Sequence, residues 1–192
     1  MPMRSFIAIE LPSSIIEELS LISQDIRVES HAISWVRPSA FHLTLRFLGD
    51  ISLDKVLQIR KVLEECAGHI SSFNLRIERL GAFPNILRPR VIWAGVSGEM
   101  DELRSLKEEM DDLLLPLGFA LEPRFFTPHL TLARVKNEIS SPDKESLRQK
   151  VPGWETKILS SFKVEFISLM ESKLTPQGAK YNPLYRAPLN RI

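Results

Sequence analysis

Residues 41–50 read Phe41-His42-Leu43-Thr44-Leu45-Arg46-Phe47-Leu48-Gly49-Asp50, and residues 126–135 read Phe126-Thr127-Pro128-His129-Leu130-Thr131-Leu132-Ala133-Arg134-Val135. The tetrapeptide His-Leu-Thr-Leu stands in both, and the two copies take up two of the chain's four histidines. Both stretches read as β-strands. In a strand, side chains alternate between the two faces. His42 and Thr44 therefore share one face, with Leu43, Leu45 and Phe47 on the other. His129 and Thr131 share a face, with Leu130 and Leu132 opposite. The leucines can fill a core while each His-Thr pair lines a surface. A pseudo-two-fold relation between the halves would let the two surfaces meet across one cleft.

Such a cleft suits a phosphodiester. Two imidazoles can exchange protons near neutral pH, one as base toward water and one as acid toward a leaving oxygen. Two threonine hydroxyls can donate to phosphate oxygens. A lone strand histidine is more often structural or simply exposed, so the argument rests on the matched pair. His31 is read as solvent-facing. His69 is read as the end of a helix, where a histidine is electrostatically comfortable.

Outward from the motifs, Arg4–Leu11 reads as a strand with Phe6, Ala8 and Glu10 on one face, and a helix starts near Pro12. Trp35–Val36 is a short apolar run. The strand at 41–47 ends in a turn at Gly49–Asp50. Asp54–Cys66 reads as a helix, and Phe73–Leu80 and Pro89–Val96 as strands. Glu99–Leu117 is a helix ended by Gly118. Pro128–Val135 is the second motif's strand, and Ser141–Lys150 a short polar helix. Phe162–Met170 is one further strand, and the tail near Tyr185 adds another. The order implies an α+β fold rather than a helical bundle.

The chain has 192 residues, 44% hydrophobic and 26% charged, which describes a globular protein and excludes a disordered one. A net charge of +1 gives no bulk field for tight nucleic-acid binding, although a local basic cleft could still hold an RNA end. The single cysteine, Cys66, forms no internal disulfide and fits a reducing compartment. The N-terminal apolar run is too short for a signal peptide, and no stretch has the length of a membrane span. A soluble cytoplasmic protein is expected. Neither a G-x-G-x-x-G fingerprint nor a Walker A sequence occurs, and no Cys/His/Asp cluster has metal-ligand spacing. No cofactor and no metal are therefore expected.

RSFIAIELP, WVRPSAFHLTLRFLGD, GAFPNILRPRVIWAGV, FTPHLTLARV and LMESKLTPQGAKYNPLYRAPL, in this order, resemble the 2H phosphoesterase superfamily. Within it the match is to the RNA 2',3'-cyclic phosphodiesterases, also called 2'-5' RNA ligases. The resemblance covers nearly the whole chain. It implies one catalytic domain, residues 1–192, made of two intertwined lobes. Two antiparallel-rich sheets would be related by pseudo-two-fold symmetry around a central cleft, with helices outside. It implies hydrolysis of an RNA terminal 2',3'-cyclic phosphate to a 2'-phosphomonoester, with reversible 2'-5' ligation as related chemistry. His42 would be the proton donor and His129 the proton acceptor, with Thr44, Thr131 and Arg134 on the phosphate.

Strand parity places Arg134 on the leucine face, so its phosphate role needs a bulge near Ala133. Parity places Arg46 with His42 and Thr44, facing the cleft, with a solvated strand position as the alternative. Phe47 alternates inward and reads as core rather than as a base-stacking platform. Tyr185 stacks on a base or packs. Arg88 and Arg90 meet the RNA backbone or lie on an ordinary loop. Trp35, Trp93 and Trp154 pack, and Lys173 carries no assigned chemistry. The implied partners are RNA ends bearing the cyclic phosphate, tRNA fragments among them, and the protein is expected to be monomeric. A phosphodiesterase for small molecules such as ADP-ribose cyclic phosphate is the competing enzyme. A noncatalytic RNA-end-binding protein is the competing class.

Overall fold

The computed structural model describes residues 2–123, 125–136, 139–151, 158–175 and 178–190. Trp154 lies outside them. The elements run β1 (Met3–Glu10), α1 (Ser13–Asp25), β2 (Ile33–Trp35), β3 (His42–Ile51), α2 (Leu53–His69), β4 (Phe73–Phe83), β5 (Val91–Gly98), α3 (Met100–Leu114), β6 (His129–Val135), α4 (Ser141–Lys150), β7 (Ile158–Val164), β8 (Phe166–Thr175) and β9 (Gly178–Pro188). Gly118, at φ 88°, closes the short 3₁₀ turn after α3, the left-handed position a side chain would strain.

The described strands form one sheet in the order β7-β4-β5-β6-β3-β1-β8-β9, with β2 pairing with β6. Two separate sheets were expected, and the difference lies around Glu165. The single strand expected over Phe162–Met170 is two strands. β7 pairs with β4 at one end of the order, and β8 pairs with β1 and β9 near the other. Yet Val164 and Phe166 are two residues apart, and two residues span at most about 7 Å. The sheet must curl until its outer strands meet there.

At the middle, β3 and β6 are joined through one residue pair, Leu43 with Leu130, both fully buried. These leucines share a core with Ile15, Leu19 and Ile22 of α1, Ile59 and Leu63 of α2, Leu106 and Met110 of α3 and Leu147 of α4. The motif leucines thus hold the helices, which leaves the opposite face of both strands to the histidines.

Both motif strands break their alternation at the same place. Opposite β1, Ile7 faces Arg46 and Ala8 faces Thr44, so Leu45 is an extra residue. Opposite β5, Ile92 faces Ala133 and Trp93 faces Thr131, so Leu132 is the extra residue. Each is a β-bulge, and beyond it the side chains change face. Leu45 and Arg46 are both buried, as are Leu132 and Ala133. The bulge required for Arg134 is therefore present. Its counterpart in β3 overturns two expectations. Arg46 does not face the cleft but is buried on the core side, and Phe47 is not core but 60% exposed. The turn expected at Gly49–Asp50 is a second irregularity inside a longer strand. Gly49 takes φ 71°, and the pairing skips Leu48.

Buried Arg46 is held by charge. Its Nη1 lies 3.2 Å from Asp111 Oδ1 and 3.7 Å from Glu122 Oε2, and its Nη2 donates to the carbonyl of Ala120. Lys107 completes the group through Asp111 and Glu122. This network ties β3 to α3 and to the segment that leads into β6. Removing one member of a buried ionic group leaves its partners uncompensated, at a cost of about 3–5 kcal/mol. Arg46→Met should lower the unfolding free energy by about that amount in a urea titration. A change within the few tenths typical of surface sites would show that Arg46 carries no structural load.

Candidate active site

The two motifs meet at the Leu43–Leu130 pair. Extending that antiparallel register by one residue sets His42 opposite Thr131 and Thr44 opposite His129. Cross-strand neighbours at this spacing have Cβ atoms about 5 Å apart, and diagonal ones about 7–8 Å. The two His-Thr faces therefore form one polar quartet.

Each imidazole is set in the same way. His42 Nδ1 donates to the Ala40 carbonyl at 2.8 Å, and His129 Nδ1 donates to the Thr127 carbonyl at 2.7 Å. A carbonyl oxygen only accepts, so Nδ1 carries the proton in both rings and Nε2 is the nitrogen left for chemistry. Prolines shape both approaches. Pro38 opens the short 3₁₀ turn that ends at Ala40, and Pro128 biases Thr127 toward an extended backbone. Each ring also rests on aromatics. Phe6 and Tyr181 lie 4.8 and 5.0 Å from His42, and Phe83 lies 5.1 Å from His129, edge-on. Trp93 backs Phe83 at 5.0 Å, and a Cβ at Gly81 would overlap its ring.

A cavity of about 470 Å³ opens on this face, lined by His42, Thr44, Thr131 and Arg134 and extending along Phe6, Phe47, Tyr181 and Arg4. His129 is not itself in the lining, but its charge reaches His42. The His42 pKa lies below the ordinary histidine value, first because the ring is buried and then through the charges of Arg134 and His129, against the Ala40 hydrogen bond. In the free protein His42 is thus biased toward its neutral form. An anionic phosphate would oppose both charge effects and favour the protonated ring.

Other expected contacts lie elsewhere. Tyr185 donates to Glu64 Oε1 at 2.7 Å on α2, under the Arg60 guanidinium, so it packs away from the cavity. The tyrosine at the cavity is Tyr181. Arg88 and Arg90 line a second cavity with Val135, Ile139 and Lys144, separate from the histidines. His31 is exposed as expected. His69 ends α2 and meets Glu109 at 2.5 Å. Among the described residues no cluster of three His, Cys, Asp or Glu could hold a metal ion, and no helix is long and apolar enough to cross a membrane.

The sequence profile of the LigT-like phosphoesterases matches residues 9–93 and 95–181, one histidine motif in each segment. The chain belongs to the LigT-like phosphoesterase family. It is 37% identical over 150 residues to the RNA 2',3'-cyclic phosphodiesterase of Aeropyrum pernix, covering 78% of this chain and 82% of that one. Among solved structures, this LigT-like chain resembles a Thermus thermophilus protein, with a TM-score of 0.79 and 26% identity over 97% and 98% of the two chains. It also resembles E. coli LigT complexed with 3'-AMP, with a TM-score of 0.74 and 27% identity over 98% and 99% of the two chains. The α+β fold with its curled antiparallel sheet is the LigT-like fold.

The His42 environment can be measured directly. In an NMR titration of the free protein, His42 should change charge at a lower pH than an unperturbed histidine. Arg134→Met should move that midpoint upward without fully restoring it, since burial persists. A His42 midpoint above the ordinary value, or one insensitive to Arg134→Met, would contradict this geometry.

Proposed function

We propose that this LigT-like phosphoesterase opens RNA terminal 2',3'-cyclic phosphates to 2'-phosphomonoesters by histidine acid–base catalysis. The observation that carries the reading is the shared geometry of His42 and His129. Both keep Nε2 for chemistry, both belong to one cross-strand quartet, and Arg134 is brought to the same face by its bulge. The name printed for the Aeropyrum pernix relative, and the 3'-AMP bound by E. coli LigT, support the same substrate class.

In this mechanism His129 takes a proton from a water that attacks phosphorus. The phosphorus–O3' bond breaks, and His42 gives its proton to the departing 3'-oxygen. Thr44, Thr131 and Arg134 hold the non-bridging oxygens, where charge grows in the transition state. Both histidines exchange protons with solvent before the next turnover. The repeated profile match, the strands flanking the Leu43–Leu130 junction and the paired bulges support two pseudo-symmetric lobes within one catalytic domain. The motif residues all come from one chain, which supports a monomeric enzyme.

An RNA oligomer ending in a 2',3'-cyclic phosphate provides the test, assayed in excess chelator with 2'- and 3'-phosphate products separated. The 2'-phosphate should accumulate, and His42→Ala and His129→Ala should each lose on the order of a hundredfold or more. With a nitrophenolate leaving group, which needs no proton, His42→Ala should recover most of its loss and His129→Ala should not. A 3'-phosphate product, or activity lost to chelator and restored by a divalent ion, would refute the mechanism. Rescue of His129→Ala instead would reverse the two roles. ADP-ribose cyclic phosphate turned over in place of the RNA would favour the small-molecule reading. Tight binding of the RNA end without turnover would favour a noncatalytic protein.

A further inference from the structure

The cavity is longer than a cyclic phosphate requires, and its two ends differ in chemistry. One end holds the threonines and Arg134. The other is apolar, with Phe47 60% and Leu174 74% exposed on it, buried Phe6 behind and Tyr181 alongside. The Phe6 ring centroid is 6.2 Å from that of Phe47 and 5.0 Å from that of Tyr181. Arg4 lines the same end, exposed, with no ion pair among the described residues.

The exposure of Phe47 has a specific structural origin. The bulge in β3 turns it out of the core, as the matching bulge in β6 turns out Arg134. The two residues hold equivalent places in the two motifs, two positions beyond the last motif leucine in β6 and in β3 alike. At one place the strand presents a guanidinium to the cavity, and at the other a phenyl ring. An exposed phenyl ring does not contribute to the core. Beside a site for a nucleotide phosphate, it offers a flat surface on which a base can stack.

We propose that Phe47, Tyr181 and Arg4 form a subsite for the terminal nucleotide of the RNA, with its base stacked on Phe47 and the phosphate on its 5' side met by Arg4. The inference rests on the cyclic-phosphodiesterase reading and adds what is recognised beyond the reacting group. It places the nucleoside beside His42, which packs against Phe6 and Tyr181. That is the side on which a ribose oxygen must receive its proton. It also favours RNA ends over base-free cyclic phosphates, because only a nucleotide chain supplies both a base and an adjoining phosphate.

Three substrates separate these contributions: base-free 1-O-methylribose 2,3-cyclic phosphate, adenosine 2',3'-cyclic phosphate, and an adenosine dinucleotide with the same cyclic end. Phe47→Ala should lose roughly five- to hundredfold in kcat/KM on the two adenosine substrates. It should match the parent on the base-free one, and Phe47→Tyr should retain activity. Arg4→Met should be impaired on the dinucleotide alone. The same variants are titrated calorimetrically with the nonreacting ligands adenosine 2'-phosphate and ribose 2-phosphate, and only the former should depend on Phe47. Phe47→Ala behaving as the parent with adenosine ligands, or losing equally on the base-free substrate, would overturn the subsite. So would equal effects of Arg4→Met on mononucleotide and dinucleotide. Phe47-dependent adenosine 2'-phosphate binding by a protein that hydrolyses none of the three would uphold the subsite while refuting the hydrolytic reading.

Discussion

The alternation of side chains along a β-strand is the constraint on which the site depends, together with the two places where it is broken. Unbroken parity would put Arg134 among the leucines and Phe47 beneath the helices. One extra residue at Leu45 and one at Leu132 change the face of everything that follows. Each strand can then present a histidine, a threonine and one residue past the bulge to the same cavity, while two consecutive buried side chains keep the core filled. The bulges are followed by different residues, and this makes the two ends of the cavity unlike.

The curl of the sheet follows from another local constraint. Val164 and Phe166 belong to strands far apart in the sheet order, so the chain at Glu165 draws the outer strands together. The motif strands are left in the middle, touching through one leucine pair. Charge is distributed to suit that arrangement. Arg46 is neutralised behind the sheet by Asp111 and Glu122, whereas Arg134 stays in the cavity and helps depress the His42 pKa. Two arginines near two similar motifs thus have opposite tasks, one structural and one directed at an anion.

Much of this is legible in the residues. The repeated tetrapeptide identifies the two strands, the face of each His-Thr pair and the buried role of the leucines, because period-two patterning survives up to the bulge. The four helices and the closing Gly118 are legible from apolar spacing and backbone preference. What is not legible lies beyond the bulges. No residue type announces an extra strand residue, so parity puts Arg46 and Phe47 on the wrong faces. Family resemblance, and not parity, points Arg134 toward the cavity. The break at Glu165 is hidden because both flanking segments are apolar and β-prone. Tyr185 and Tyr181 are four residues apart on β9, and only the pairing with β8 and the contact with α2 decide which tyrosine meets the cavity. Phe83 and Trp93, which support His129, come from strands whose register with the motif is a long-range property.

The central claim is that the two bulged strands bring both histidines and Arg134 to one phosphate. A crystal structure of the protein with adenosine 2'-phosphate bound tests it most directly. The claim predicts one phosphate group within hydrogen-bond distance of Nε2 of both His42 and His129, with the Arg134 guanidinium on a further oxygen. A phosphate reached by only one imidazole, or held in the cavity with Arg134 turned to solvent, would contradict it.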